Sequence, residues 1–236
     1  MSDRSKNRTI LGVERRSLAY SAGLRAYMLS IYNYMALGLG LTGVVALLVV
    51  SSPTLLHAIQ PFMLLFVIAP VALVLFLSFK INTMQFSTAQ AVFWLYAALN
   101  GVAFSVIFLQ FTYESIARVF FITGGMFAAM SLYGYTTKKD LTAWGSFLFM
   151  GLIGIIIASL VNIFIASSML QFMVSVAGVI IFTGLTAYDT QSIKEGYVEG
   201  SSTEIAGKRA IFGALRLYLD FINLFLIMLR LFGDRR

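Results

Sequence analysis

The sequence has no cysteine, a single histidine and few charged residues, and each scarcity excludes a class of function. Without cysteine there is no disulfide, no thiolate nucleophile and no cysteine-ligated metal. The single histidine, His57, has no neighbour at helical spacing that would complete a metal site. Metalloprotease, serine-hydrolase and Walker A motifs are also missing from the chain. The sequence therefore predicts a protein that is not an enzyme and that needs no cofactor.

What the chain has in abundance is apolar surface. Of its 236 residues, 59% are hydrophobic and only 11% are charged, and the mean hydropathy is +0.88. The apolar residues fall in runs of about 20, the length that crosses a hydrocarbon core of roughly 30 Å as an α-helix. A membrane barrel would instead show shorter segments of alternating hydrophobicity, which the sequence lacks. These features predict an all-α integral membrane protein with the lipid bilayer as its main partner.

Seven such runs predict seven transmembrane helices. They are residues 27–50, 62–79, 89–111, 116–135, 143–166, 169–188 and 211–232. We interpret residues 27–236 as a single seven-helix transmembrane domain, because the connections are short. Residues 1–26 are polar and basic and are interpreted as a cytoplasmic tail, since they contain no apolar core of signal-peptide type.

The distribution of lysine and arginine predicts the orientation. The tail, Lys80, Lys138, Lys139 and the segment 194–209 place basic residues on one side, whereas the loops 51–61, 112–115 and 167–168 contain none. The positive-inside rule therefore puts the N-terminus in the cytoplasm. This pattern explains the net charge of +7 better than nucleic-acid binding does. Arg235 and Arg236 do not follow the positive-inside rule, because seven crossings would place them outside. The last run therefore either spans the membrane or returns as a hairpin.

Small residues at four-residue spacing predict places where helices approach one another closely. They are Gly124 with Ala128, Gly125 with Ala129, and Gly154 with Ala158. Such pairs let backbones come close where lipid supplies no hydrophobic drive between helices.

Two aspartates stand out against the apolar runs, Asp189 at the inner end of the sixth and Asp220 in the middle of the last. An ionisable group at this depth costs several kcal/mol unless it faces protein or water. Arg216, Asp220, Asn223 and Arg230 follow one another at helical spacing, so they form a polar stripe on the last helix. The stripe predicts a helix that turns this face into the bundle.

If the two carboxyl groups meet, they are expected to share a proton and to respond to pH, because two like charges in a poorly solvated site do not both ionise cheaply. The same pair would attract Ca²⁺, although two carboxylates supply far fewer oxygens than the six to eight that this ion takes. Three alternatives stay open. Arg216 and Asp220 could form an intrahelical ion pair, Asp189 could be a solvated helix-end residue, or the two aspartates could form an intramembrane aspartyl protease site.

Three stretches of the chain form a recognisable set of motifs: MSLYGYTTKKDLT (130–142), GLTAYDTQ (184–191) and LYLDFINLFLIMLRLFG (217–233). Together they resemble the Bax inhibitor-1 family, also called the transmembrane Bax inhibitor motif family, and in particular its bacterial inner-membrane branch. The resemblance extends over almost the whole chain from about residue 24.

The resemblance implies a seven-helix bundle with the C-terminal helix at its centre. It also implies a pH-dependent calcium leak, with the pH sensor at Asp189 and Asp220. The family's latch pairs the aspartates with a basic residue on the second helix, but here that helix has no charge before Lys80. Either Lys80 reaches inward, Arg216 replaces it, or this branch closes differently.

The sequence thus predicts a proton-sensitive calcium leak channel of a bacterial inner membrane, with Ca²⁺ and protons as its partners. The sensors are Asp189 and Asp220, which would also hold Ca²⁺ weakly, the candidate counter-ions are Arg216 and Lys80, and Asn223 is a supporting polar residue. One alternative is a membrane-embedded adaptor that binds membrane proteases or other membrane proteins. Another is a proton-coupled cation transporter.

Overall fold

The structure is a computed structural model that describes residues 2–81 and 83–236, with side chains from residue 19 onward apart from residue 82. In this part of the chain it is built from helices joined by short connections. They are α1 (Ser2–Ser51), α2 (Pro53–Ile59), α3 (Met63–Lys80), α4 (Phe86–Gln110), α5 (Tyr113–Thr136), α6 (Thr142–Ile165), α7 (Ser168–Glu195) and α8 (Thr203–Phe232). A single 3-10 turn (Gln60–Phe62) joins α2 to α3.

Seven segments of the described chain are long and apolar enough to cross a membrane, which confirms the predicted all-α, seven-span architecture. The second of these spans combines α2, the turn and α3. The prediction of a loop over residues 51–61 is therefore wrong, because α2 begins there with Ser52 as its N-cap and Pro53 in its first turn. The basic side chains of residues 4–16 lie outside the described side chains, so the tail at residues 1–26 stays a prediction.

Helix α7 extends beyond its apolar run at its C-terminal end, and α8 extends beyond its apolar run at its N-terminal end. The sixth run was predicted to end at residue 188, but α7 continues to Glu195, and α8 begins at Thr203 rather than at residue 211. Ser202 caps α8 by accepting the N–H of Ile205, and Glu204 stands in its first turn. Asp189 is consequently an interior residue of α7, not its last one.

The last helix is the most buried of the seven spans. In the most apolar 18-residue window of each span, 67% of the residues of α8 are buried, compared with only 6% of those of α6. Helix α8 packs against α1, α4, α5 and α7 and touches α3, whereas α6 packs mainly along α7. The wholly buried side chains of Leu217, Tyr218 and Leu224 lie on α8. Whether all six other spans surround α8 stays a prediction.

The connections define two ends of the bundle. We call the end formed by residues 83–85, 137–141 and 196–202 the basic end, and the end formed by residues 111–112, 166–167 and 233–236 the C-terminal end. At the C-terminal end, Arg235 pairs with Phe111 as an isolated β-bridge. The Asp234 carboxylate accepts a hydrogen bond from the Arg118 guanidinium at 2.7 Å. Because α8 is one unbroken helix that ends beside the α4–α5 connection, the hairpin alternative for the last run is wrong.

Candidate functional site

The register between α7 and α8 places the charged residues of the two helices side by side. Near the basic end, Arg209 of α8 donates to the carbonyl of Gly196, just after α7, at 3.4 Å. From this level both helices enter the membrane, and about 10 Å further in, at 1.5 Å per residue, Arg216 stands opposite Asp189. Asp220 follows one turn deeper on α8.

Arg216 binds α7 through three of its N–H groups. Its Nε donates to Oδ2 of Asp189 at 3.1 Å, and its Nη2 donates to Oδ1 of the same carboxylate. Its Nη1 donates to Oγ of Ser192 at 3.3 Å. The two-pronged geometry is the strongest that an arginine offers a carboxylate. The ion pair is mostly withdrawn from the surroundings, with 28% of the Arg216 side chain and 13% of the Asp189 side chain exposed.

Asp220 lies beside this ion pair and is more deeply buried, with 5% of its surface exposed. Its carboxyl group lies within electrostatic range of that of Asp189 and of the Arg216 guanidinium. Side chains on a helix lean toward its N-terminus, which tilts Asp220 down toward Asp189. Within the described residues, Oδ2 of Asp220 has no hydrogen-bond partner. The three side chains form one buried group, which we call the charged cluster (Asp189, Arg216 and Asp220).

The charged cluster opens onto a cavity of about 830 Å³ between α6, α7 and α8. Most of the wall is apolar, and it includes Phe149, Leu152 and Ile156 of α6. Arg216, Asp220, Asn223 and Arg230 line the α8 side, as the helical spacing predicts for a single stripe. The polar stripe of α8 therefore faces a space inside the protein rather than its dry core.

The other predicted site residues take different positions. Asn223 lines the cavity one turn beyond Asp220, where its Nδ2 donates to the carbonyl of Leu219 at 2.8 Å. Lys80 is exposed in the last turn of α3, and among the described residues it forms no ion pair with either aspartate. The structure thus brings Arg216, not Lys80, to the aspartates.

Two alternatives from the sequence do not match this geometry. Arg216 was a candidate for an intrahelical ion pair with Asp220, but its hydrogen bonds run across to Asp189 on α7. Asp189 was a candidate for a solvated helix end, but its side chain is largely buried within α7. An aspartyl protease site also fits poorly, because Arg216 engages both oxygens of Asp189 where that chemistry needs two level carboxylates with a water between them.

Gln191 supports the site and was missed from the sequence. This buried side chain accepts the N–H of Leu141 and donates to the carbonyl of Lys139, both at 2.8 Å, so it holds the α5–α6 connection against α7. Thr190, beside Asp189, contacts Ser131 of α5 at 3.0 Å, and Ser131 also hydrogen-bonds Tyr32 of α1. Polar residues at close spacing in GLTAYDTQ were the signal in the sequence, but nothing there gave their partners.

The carboxylates are too few for a preformed metal site. Among the described residues, no three histidine, aspartate or glutamate side chains converge. The two aspartates of the cluster offer four oxygens, and Arg216 already engages two of them. The predicted weak Ca²⁺ site at Asp189 and Asp220 therefore stays a prediction that requires water and carbonyl oxygens to complete it.

Seven apolar spans and a charged cluster beside a cavity define a polytopic helical membrane protein with a polar site inside the bilayer. The profile of the family described as "Inhibitor of apoptosis-promoting Bax1" matches residues 24–236. The chain therefore belongs to the Bax inhibitor-1 family, as its motifs predict.

Its relatives share nearly the whole length of the chain. An uncharacterized protein of Rickettsia prowazekii is 48% identical over 94% of this chain and 94% of its own length. Inner membrane protein YbhL of Escherichia coli K12 is 47% identical over 91% of this chain and 94% of its own. An uncharacterized membrane protein of Streptococcus pyogenes is 36% identical over 89% and 93%. None of these names describes an enzyme.

Proposed function

We propose that this chain is a proton-sensitive calcium leak of a bacterial inner membrane, in which the charged cluster controls passage through the cavity between α6, α7 and α8. The observation that supports this most directly is the position of Asp220, buried, short of a hydrogen-bond partner on Oδ2, and open to the cavity. The name of the inner membrane protein YbhL supports the location.

The charge balance of the cluster supplies the proton sensitivity. With both aspartates ionised, the three side chains carry a net charge of −1 in a poorly solvated place. Binding one proton makes the cluster neutral, so proton binding and the arrangement of α7 against α8 are linked. Since the two aspartates compete for one guanidinium, the group that holds the proton decides which carboxylate Arg216 binds.

The direction of the pH response follows from the Arg216–Asp189 ion pair. This pair ties α7 to α8 next to the cavity. Protonation of Asp189 weakens it, because a neutral carboxyl group attracts a guanidinium less strongly than a carboxylate does. We therefore expect the closed arrangement to loosen, and calcium flux to rise, as the pH falls. Arg216 takes the latch role that the family resemblance assigns to a basic residue of the second helix.

Calcium flux into liposomes that contain the purified chain and a trapped calcium dye tests the proposal. The wild type should leak faster at pH 6 than at pH 8, and Asp220→Asn should remove most of that difference. Asp234→Asn is the matched control, because this carboxylate lies in an exposed ion pair at the C-terminal end. An unchanged pH response in Asp220→Asn would contradict the assignment of the sensor.

The same liposomes distinguish a leak from a proton-coupled transporter. A leak equilibrates Ca²⁺ and stops, whereas a coupled transporter accumulates Ca²⁺ against its gradient when a proton gradient is imposed. We expect equilibration only. Accumulation driven by protons would replace the leak with an exchanger that uses the same aspartates.

A further inference from the structure

The C-terminal end of the bundle has a second, smaller cavity that the proposed leak does not explain. It measures about 430 Å³ and is lined by residues of α4, α6, α7, α8 and the C-terminal segment. Its polar side chains are donor-rich, with two guanidinium groups, three carboxamides and a hydroxyl. They belong to Arg230, Arg235, Gln110, Asn162, Gln171 and Ser159.

The positive charge of this smaller cavity is not neutralised by the protein. Neither Arg230 nor Arg235 forms an ion pair with a carboxylate in the described part of the chain. The nearest acidic side chain in sequence, Asp234, binds Arg118 instead at 2.7 Å. No acidic residue lines the cavity. A ligand with complementary charge is therefore an anion.

The position of Arg235 is fixed by the fold. Its backbone pairs with Phe111, and the following residue, Arg236, donates its N–H to the carbonyl of Gln110 at 3.0 Å. The Arg235 guanidinium lies 6.0 Å from the centre of the Phe111 ring. These contacts hold the short C-terminal segment against α4, so the second guanidinium is a built part of the cavity.

The smaller cavity adjoins the larger one. Both are lined by Ser159 and Ile163 of α6, Val174 of α7, and Leu226 and Arg230 of α8. Among the described helices, the larger cavity is lined by α6, α7 and α8 alone. We call the two cavities together the groove, which is polar at the C-terminal end and mainly apolar from there toward Asp220.

The length of this groove matches one leaflet of a bilayer. Arg230 and Asp220 are ten residues apart on one helix, which is about 15 Å at 1.5 Å per residue. Half of a hydrocarbon core of roughly 30 Å is also about 15 Å. A molecule whose anionic group lies at Arg230 and whose alkyl chain follows α6 would therefore end beside Asp220.

From this match we infer that the groove binds an anionic phospholipid of the leaflet at the C-terminal end, with its phosphate between Arg230 and Arg235 and one acyl chain along α6 and α8. The bound phospholipid gives Arg230 and Arg235 a counter-ion at the end of the bundle where the positive-inside rule disfavours them. The inference rests on the two cavities and their charges, and it does not depend on calcium conduction.

Native mass spectrometry of the full chain in detergent, titrated with palmitoyl-oleoyl phosphatidylglycerol, tests the inference. We expect a 1:1 lipid complex that is tighter than the one with phosphatidylcholine of the same acyl chains. The double variant Arg230→Gln, Arg235→Gln should weaken it at least tenfold, because it removes both positive charges from the phosphate site. Arg236→Gln is the matched control, since this residue stacks on Tyr113 outside the groove and should leave binding unchanged.

Two further experiments distinguish binding of the lipid from binding of free phosphate. Ser159→Trp fills the groove and leaves both arginines in place, so it should also weaken phosphatidylglycerol binding. Inorganic phosphate at millimolar concentration should not displace the lipid. Full binding by the double variant, or by Ser159→Trp, would overturn the inference. Displacement by inorganic phosphate would overturn it too and would assign the cavity to a free anion.

Discussion

Arg216 and Asp189 together show how a charged pair is accommodated inside the bundle. Each oxygen of the Asp189 carboxylate accepts a hydrogen bond from Arg216, and Ser192 accepts a third. Burying such a pair gains little over apolar packing, but removing one member leaves an uncompensated charge, which is strongly destabilising. The pair is therefore a poor source of net stability and a sensitive place to disturb.

Asp189→Asn should lower the stability of the fold by about 1–3 kcal/mol, because Arg216 then loses its charged acceptor on α7 and keeps only Asp220, on its own helix, as a nearby carboxylate. Asp234→Asn breaks the exposed Arg118–Asp234 pair, whose side chains are 56% and 66% exposed, and should cost less than about 1 kcal/mol. Thermal unfolding of both variants in one detergent measures the difference. Equal shifts of the midpoint would show that the Asp189–Arg216 pair is not held as the structure places it.

The sequence identified the two aspartates and named Arg216 and Lys80 as their candidate counter-ions, but it did not show which aspartate Arg216 binds. Asp189 and Asp220 stand out in apolar runs, and that signal needs no structure. Arg216 precedes Asp220 by four residues, which favours a pair within the helix. The observed pair depends instead on the offset between α7 and α8, set by contacts such as Arg209 with Gly196 at the basic end. The offset depends on how the two helices pack, and the spacing of residues in a single sequence does not reveal it.

At the scale of the helices, α5 and α7 approach each other closely at Gly134. A Cβ added there would lie 2.1 Å from the carbonyl oxygen of Ala187, which is two residues before Asp189. At Gly124, Gly125 and Gly154 an added Cβ would meet nothing within 4 Å. The predicted close contacts at these three glycines are therefore wrong, because four-residue spacing marks small residues without saying which of them face a helix.

Gly134→Ala should force α5 away from α7 and destabilise the fold by about 1–3 kcal/mol, as overpacking does. Gly124→Ala, on the same helix, should be neutral or should stabilise by up to about 1 kcal/mol, since alanine favours helix over glycine. Thermal unfolding of the two variants tests this contrast. If Gly134→Ala were as stable as Gly124→Ala, the contact at Ala187 would be absent.

Gln191 holds the connection between α5 and α6 in place through two hydrogen bonds. Gln191→Ala should leave the N–H of Leu141 and the carbonyl of Lys139 without partners, so amide hydrogen exchange in residues 137–141 should speed up. Gln191→Glu keeps the acceptor for Leu141 and loses the donor for Lys139, so its exchange should be intermediate. Exchange at the wild-type rate in Gln191→Ala would show that other contacts hold this connection.

For the whole molecule, apolar run length was enough to predict seven spans and their order, because each run must cover the hydrocarbon core. The ends of the helices were less well predicted. The polar extensions of α7 and α8 at the basic end lie beyond the apolar signal, and α2 interrupts a segment that reads as a loop. The cavity wall on α6 was also missed, since its apolar side chains look the same whether they face lipid or a groove.

Seven crossings put the two ends of the bundle on opposite sides of the membrane, and the basic residues predict that the basic end is cytoplasmic. The chain has no cysteine, so single cysteines can be labelled without background. In intact cells a membrane-impermeant thiol reagent should label Arg236→Cys, and it should label Lys138→Cys only after permeabilisation. Labelling of both before permeabilisation would contradict seven crossings, and the reverse pattern would contradict the orientation.

The central claim is that Asp189 and Asp220 form one protonation unit with Arg216. Infrared titration of carboxyl groups in the full chain, reconstituted in liposomes, tests it directly for the wild type, Asp189→Asn and Asp220→Asn. We expect that removing either aspartate changes the titration of the other, because the two share one guanidinium and compete for one proton. Two titrations that each stay the same when the other aspartate is replaced would contradict it.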